Sequence, residues 1–169
     1  LHVPALRTQV SDALVTIHVA HLKGSTPAQR PPLFNVLGGP GQTWDAFARA
    51  FSQAEVDALG RDLVLVEQRG TGESRPATRC ENLDAKAILA AADPLAEAAA
   101  QLSGCASALR DAGVLPRGYS VLEMAADLET LRLLLGFERI ALSGSSYGSR
   151  IGLEYMRHYG AALEALVID

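Results

Sequence analysis

The sequence predicts an α/β architecture with a doubly wound, mostly parallel sheet, and three observations carry that prediction. Short apolar runs alternate with longer segments of helical periodicity along the 169 residues. The run at 62–68, DLVLVEQ, is nearly all apolar, as a strand covered on both faces should be. Residues 139–168 read as a complete β-α-β unit: RIALSG, then SYGSRIGLEYMRHYG, then LEALVI.

The other elements follow in order. Residues 13–21, ALVTIHVAH, alternate apolar and polar positions, which predicts one half-buried strand with Val15, Ile17 and Val19 inward and His18 and His21 at the surface. A second strand, LFNVL at 33–37, runs into the glycine-rich loop Gly38-Gly39-Pro40-Gly41. Trp44, Phe47 and Phe51 have helical spacing within 43–59. The strand at 62–68 feeds a second glycine-rich loop, Arg69-Gly70-Thr71-Gly72. Alanine-rich residues 80–118 predict helices broken at Pro94 and Pro116, with Gly104 and Gly113 as weak points or stops. Ser120 is a candidate N-cap with Glu123 at the capping-box position, for a helix ended by Gly136. The final strand, 163–168, is very apolar and lacks a charged or proline-blunted margin, so a covering element outside residues 1–169 is expected.

Composition narrows the function classes. With 49% hydrophobic and 20% charged residues the chain can bury one sizeable core. Its 15 basic and 19 acidic residues are scattered, with no basic block to track a phosphate backbone, so nucleic acid is not an expected partner. No apolar run reaches the roughly 20 residues that span a bilayer, and the N-terminus lacks a signal-peptide profile. Cys80 and Cys105 have no Cys or His at zinc-site spacing, so neither a metal nor a cofactor is expected. By composition they are two buried thiols or one disulfide.

Gly144-Ser145-Ser146-Tyr147-Gly148 fits G-x-S-x-G where a predicted strand passes sharply into a predicted helix. That setting forces the central serine into a strained conformation and lifts its hydroxyl above the sheet, which makes Ser146 the candidate nucleophile. The bland alternative is a serine-rich helix N-terminus with glycines for packing. Tyr147, next in sequence, offers a backbone N–H at the helix N-terminus to a developing oxyanion, and the 38–41 loop is where a second donor is expected.

Together LGGPG (37–41), EQRGTGES (67–74), GSSYG (144–148) and the two-cysteine insert at 80–105 resemble the proline iminopeptidase and tripeptidyl aminopeptidase-like family of α/β-hydrolases. The resemblance runs along essentially the whole chain. It implies an enzyme that releases N-terminal residues or short peptides through an acyl-enzyme on Ser146, with Gly39 and Tyr147 as oxyanion donors. Two positions depart from the family pattern: Leu37 stands where a histidine is usual, and Glu67 where an aspartate is usual. The resemblance also implies a Cys80–Cys105 disulfide and with it a secreted or periplasmic protein whose leader is not part of the chain, with a cytoplasmic location left open. Arg69 reads as a structural tie between loops rather than a catalytic group.

The triad order of this fold is Ser, then Asp or Glu, then His. After Ser146, Asp169 ends the last strand, a position where an acid occasionally serves, whereas His158 points along the nucleophile helix rather than back at Ser146 and reads as a surface residue. Residues 1–169 are therefore expected to be the N-terminal part of an α/β-hydrolase core, with a helical insert at about 80–118. The acid, the histidine and a cap domain are expected from the C-terminal half of the same enzyme or from a second subunit. A peptide or a small ester is the expected substrate. A carboxylic-ester hydrolase and a non-catalytic scaffold are the alternatives.

Overall fold

The computed structural model describes residues 1–9, 13–26, 28–44 and 51–169. They form two compact units, Leu1–Ala77 with Arg117–Asp169, and Thr78–Pro116. Among the described residues, no helix is long and apolar enough to cross a membrane.

The strands of the first unit are β1 (His2–Pro4), β2 (Leu14–Thr16), β3 (Val19–Leu22), β4 (Leu33–Val36), β5 (Leu63–Val66), β6 (Ile140–Gly144) and β7 (Leu163–Ile168). Five of them make one sheet in the order β3-β5-β4-β6-β7. Only β3 runs antiparallel in it, against β5. β5, between β3 and β4, is buried at every position, and β4 alternates with Phe34 and Val36 inward, as their apolar patterns require. The fold is thus a mixed, mostly parallel α/β sheet.

The predicted single strand over 13–21 is two. β2 pairs with β1 in a separate antiparallel ribbon, and β3 pairs with β5. The switch falls at Ile17 and His18: Ile17 N–H donates to the Leu1 carbonyl at 2.7 Å, while the His18 carbonyl accepts from Glu67 N–H at 3.1 Å. Both halves keep period 2, so alternation alone could not reveal the break. His18 is exposed as expected, but His21 is half-buried against Asp62 at 2.8 Å.

The predicted helix at 43–59 is only partly within the described residues, and Phe47 lies outside them. Trp44 is buried and Phe51 exposed. The described helix, α1 (Gln53–Ala58), starts where Ser52 and Glu55 close a capping box.

In the second unit, α2 (Ala85–Ala90) and α3 (Pro94–Asp111) are capped by Asp84 and Asp93. The expected interruption is present: α2 ends at Ala90 and Pro94 opens α3, where its missing N–H costs nothing in the first turn. Gly104 sits inside α3 without interrupting it, whereas Gly113 follows the helix end at φ 80°. Cys80 and Cys105 form a disulfide with a Cα–Cα distance of 5.5 Å.

Helix α4 (Val121–Leu134) starts at Ser120, whose hydroxyl accepts from Glu123 N–H, and Gly136 follows its end at φ 76°. The expected capping box is half made, because the Glu123 carboxylate is taken by Arg7 at 2.6 Å and Arg69 at 3.4 Å. Helix α5 (Tyr147–Tyr159) buries Gly148, Ile151, Gly152 and Tyr155, one helical stripe. Gly152 admits Leu166 of β7: a β-carbon there would lie 2.8 Å from the Leu166 Cδ1. On β7, Val167 and Ile168 are exposed.

Candidate active site

The chain leaves β6 at Gly144 and enters α5 at Tyr147, so it reverses within two residues. Ser146 takes φ 50° and ψ −114°, and it is the sole non-glycine residue with positive φ among those described. Such backbone strain costs on the order of 1–3 kcal/mol and persists only where the surroundings over-determine it. Those surroundings are visible. A β-carbon on Gly144 would collide with the Gly148 carbonyl, and one on Gly148 with the carbonyls of Val36 and Leu37. The two motif glycines therefore let β4, β6 and α5 converge beneath Ser146.

Hydrogen bonds hold the elbow from several sides. Ser146 N–H donates to the Asp169 carbonyl at 2.8 Å, and Gly148 N–H donates to the Ser145 carbonyl at 2.7 Å. Ser149, which sequence reasoning did not single out, shares its one hydroxyl proton between the carbonyls of Gly144 at 2.9 Å and Asp169 at 2.8 Å. Its placement one turn into the helix is the signal that could have found it, since a serine there reaches back to the preceding turn.

The 38–41 loop lies directly against this elbow. A β-carbon on Gly38 would come within 2.8 Å of the Ser146 Cβ and 3.0 Å of the Ser145 carbonyl oxygen. Gly39 follows at φ 100°, a conformation that favours glycine. Gly38 thus touches the elbow, with Gly39 next to it in the loop and Tyr147 next to Ser146 at the start of α5. At the first position of α5, the Tyr147 N–H has no intrahelical acceptor.

The loop after β5 braces the neighbourhood. Glu67, buried, accepts from Trp44 N–H at 3.2 Å and Glu73 N–H at 2.7 Å, and lies 3.3 Å from the His18 Nδ1. Arg69 is fully buried. It spans Asp127 at 2.5 and 2.8 Å and the carbonyls of Ala5 at 2.6 Å, Gly118 at 2.8 Å and Pro4 at 2.9 Å. With those bonds the guanidinium is spent on tying the N-terminus to α4, the structural role expected of it.

A base for Ser146 is not supplied by any of the chain's four histidines. His18 lies at the same sheet edge but three strands away, about 14 Å at ordinary strand spacing. His158 is bound to Glu154 at 2.9 Å, about 18 Å along α5 from Ser146 at the usual helical rise. His21 is held by Asp62, and His2 by Thr16 at 3.1 Å in the β1–β2 ribbon. Asp169 meets the elbow through its backbone carbonyl.

The profile of the α/β hydrolase fold family matches residues 31–169. The chain belongs to that family. As an α/β hydrolase it is 30% identical over 132 residues to RutD of Cronobacter turicensis, named for carbamate hydrolysis, covering 78% of this chain and 33% of that protein. It is 29% identical over 144 residues to the serine protease Hip1 of Mycobacterium tuberculosis, covering 78% of this chain and 28% of that protein. The chain thus spans about a third of the length of the curated relatives it matches. Proline iminopeptidase from Mycobacterium smegmatis superposes with a TM-score of 0.55 at 19% identity, covering 98% of this chain and 42% of that one. Epoxide hydrolases share the fold as well. The family supports a hydrolase, and the relatives differ in the bond their names describe.

Proposed function

We propose that this α/β hydrolase is a serine hydrolase whose Ser146 attacks an acyl carbon bound to nitrogen, and that it acts as an aminopeptidase on N-terminal residues or short peptides. The observation that carries the reading is the strained Ser146 backbone with Gly38 packed on its β-carbon. A helix N-terminus or a binding surface has no use for such strain. In the proposed reaction a base takes the Ser146 hydroxyl proton as the oxygen adds to the carbonyl carbon, and the N–H groups of Gly39 and Tyr147 take up the charge on oxygen. That proton passes to the nitrogen as the C–N bond breaks, so the amine leaves an acyl-enzyme that water hydrolyses. The base and the acid come from outside residues 1–169, from the C-terminal part of the enzyme or a second subunit. A serine protease and a protein named for carbamate hydrolysis among the relatives favour acyl–nitrogen substrates over simple esters. The Cys80–Cys105 disulfide supports an oxidising, extracytoplasmic location.

The test is fluorophosphonate labelling of Ser146 in the active protein, together with turnover of peptide anilides and of simple esters. Ser146→Ala should abolish labelling and lower kcat by about 10⁴-fold or more while leaving the fold intact. Turnover of esters without any of anilides would favour the esterase reading. Unaltered turnover by Ser146→Ala would remove Ser146 from the mechanism.

A further inference from the structure

The Gly39 N–H belongs to a peptide unit whose other end is the Gly38 carbonyl, and that carbonyl is not free. The side-chain nitrogen of Gln68 lies 2.5 Å from the Leu37 carbonyl oxygen and 3.4 Å from that of Gly38. Both neighbours are acceptors, so the amide is oriented with its nitrogen toward the loop; the reverse orientation would set three oxygens against one another. Gln68 is 5% exposed, and its own oxygen, buried, has no hydrogen-bond partner among the described residues. Gln68 also lines a void of about 10 Å³ whose other walls include Ile17, Val36, Met124, Arg69 and Asp127. Leaving a buried acceptor unmet is costly, and a residue chosen for stability alone would not be expected to accept it.

We propose that Gln68 is a positioning residue for the oxyanion hole, gripping the carbonyl side of the 37–39 backbone so that the Gly39 N–H is the group left to face substrate. The proposal rests on the reading of Ser146 as nucleophile and Gly39 as donor. In a planar trans peptide the C=O and N–H point in opposite directions, and the Gly38–Gly39 bond is not among the cis bonds. Fixing the carbonyl toward Gln68 therefore aims the N–H away from it. The preceding N–H, that of Gly38, is already taken by the Gln42 Oε1 at 3.1 Å. Gln68 and Gln42 together occupy both carbonyls and one of the two N–H groups of this turn. A loop rich in glycine has little stiffness of its own, so its donor is aligned only as well as it is held.

The test compares wild type, Gln68→Leu and Gln68→Glu in the active protein, reading kcat and KM on a peptide anilide, the fluorophosphonate labelling rate and the thermal melt. Gln68→Leu should lower kcat and labelling about 100-fold with KM within about 2-fold, as for a lost oxyanion contact. Gln68→Glu keeps the shape but opposes a carboxylate to two carbonyls, so it should be impaired at neutral pH. As pH falls and the introduced carboxyl takes a proton, it becomes a donor again, and its activity relative to wild type should rise. Folded variants with wild-type kcat and labelling overturn the proposal alone, as does a KM effect without a kcat effect. If neither variant folds, Gln68 is a structural residue and the proposal fails. Wild type that does not label overturns the nucleophile reading itself, and the proposal with it.

Discussion

Gly38 packs its α-carbon onto the β-carbon of Ser146, leaving 2.8 Å where an added methyl would have to fit. The neighbours there are the Ser145 carbonyl at 3.0 Å and the Gln42 side chain at 3.3 Å, and only the last can swing aside. Gly38→Ala should therefore push the 38–41 loop off the elbow. We expect a stability loss of about 1–3 kcal/mol, typical of overpacking, and a fall in kcat larger than that loss explains. Calorimetry and steady-state kinetics on one preparation would separate the two. A variant with wild-type kcat would show that this contact does not set the catalytic geometry.

Arg69 gives a contrasting prediction, because its role is structural. Removing it leaves Asp127 and Glu123, with side chains only 4% and 5% exposed, short of a counter-charge, although Arg7 still reaches both. Arg69→Met should cost about 3–5 kcal/mol, the range for a broken buried pair. Denaturant unfolding reads this directly. A folded, equally stable variant that had lost turnover would reverse the assignment and make Arg69 catalytic.

The contrast between these two sites explains what the sequence disclosed. The elbow at Ser146 and the loop at 38–41 were legible because both are written locally, as glycines at fixed offsets beside apolar runs. The Arg7–Glu123–Asp127–Arg69 cluster was not, since Arg7 meets its partners across 116 and 120 residues. Glu123 shows the limit within a single residue: its spacing from Ser120 matches a capping box, but long-range charge claims the carboxylate instead. The break between β2 and β3 was hidden for another reason, because alternation records which face is buried and not which strand is the partner. The missing base is not a failure of legibility. His18 and His21 were read as surface residues and His158 as pointing along its helix, and the polar contacts of the fold hold these three and His2 elsewhere.

The disulfide predicts a localised effect. Cys80 and Cys105 enclose a separation of 25 residues, for which chain-entropy arguments give about 3.5 kcal/mol of stabilisation. Both cysteines lie in the unit Thr78–Pro116. Replacing both by serine should raise amide exchange across α2 and α3 while leaving β4, β5 and β6 protected. Exchange that rises equally in both units would show that they unfold as one.

Glu129 supplies a pH dependence whose sign can be worked out. It lies on α4, receives Arg132 at 2.6 and 2.8 Å, and accepts the Tyr155 hydroxyl from α5 at 2.8 Å. The Arg132 hydrogen bond, assisted by that of Tyr155 and opposed by partial burial, holds the Glu129 carboxyl below its usual range. Burial first, and then the neighbouring Glu129 carboxylate, push the Tyr155 phenol up, so it remains a donor at neutral pH. A carboxyl with a lowered folded pKa contributes stability that is fully present above its unfolded value, about 4.3, and lost as pH falls through the folded one. Glu129→Gln keeps the shape and can still accept from Tyr155, but it gives up the charge. We expect it to cost about 1 kcal/mol at pH 7, because solvent screening of this partly exposed carboxylate reduces the roughly 1.5–3 kcal/mol of a hydrogen bond to a charged group. The gap from wild type should narrow steadily below about pH 4.5, because the wild-type carboxyl is then being neutralised as well. Urea unfolding of both proteins at intervals from pH 7 to pH 3 measures that gap. Parallel curves across the range would mean that the Glu129 charge contributes nothing to joining α4 to α5.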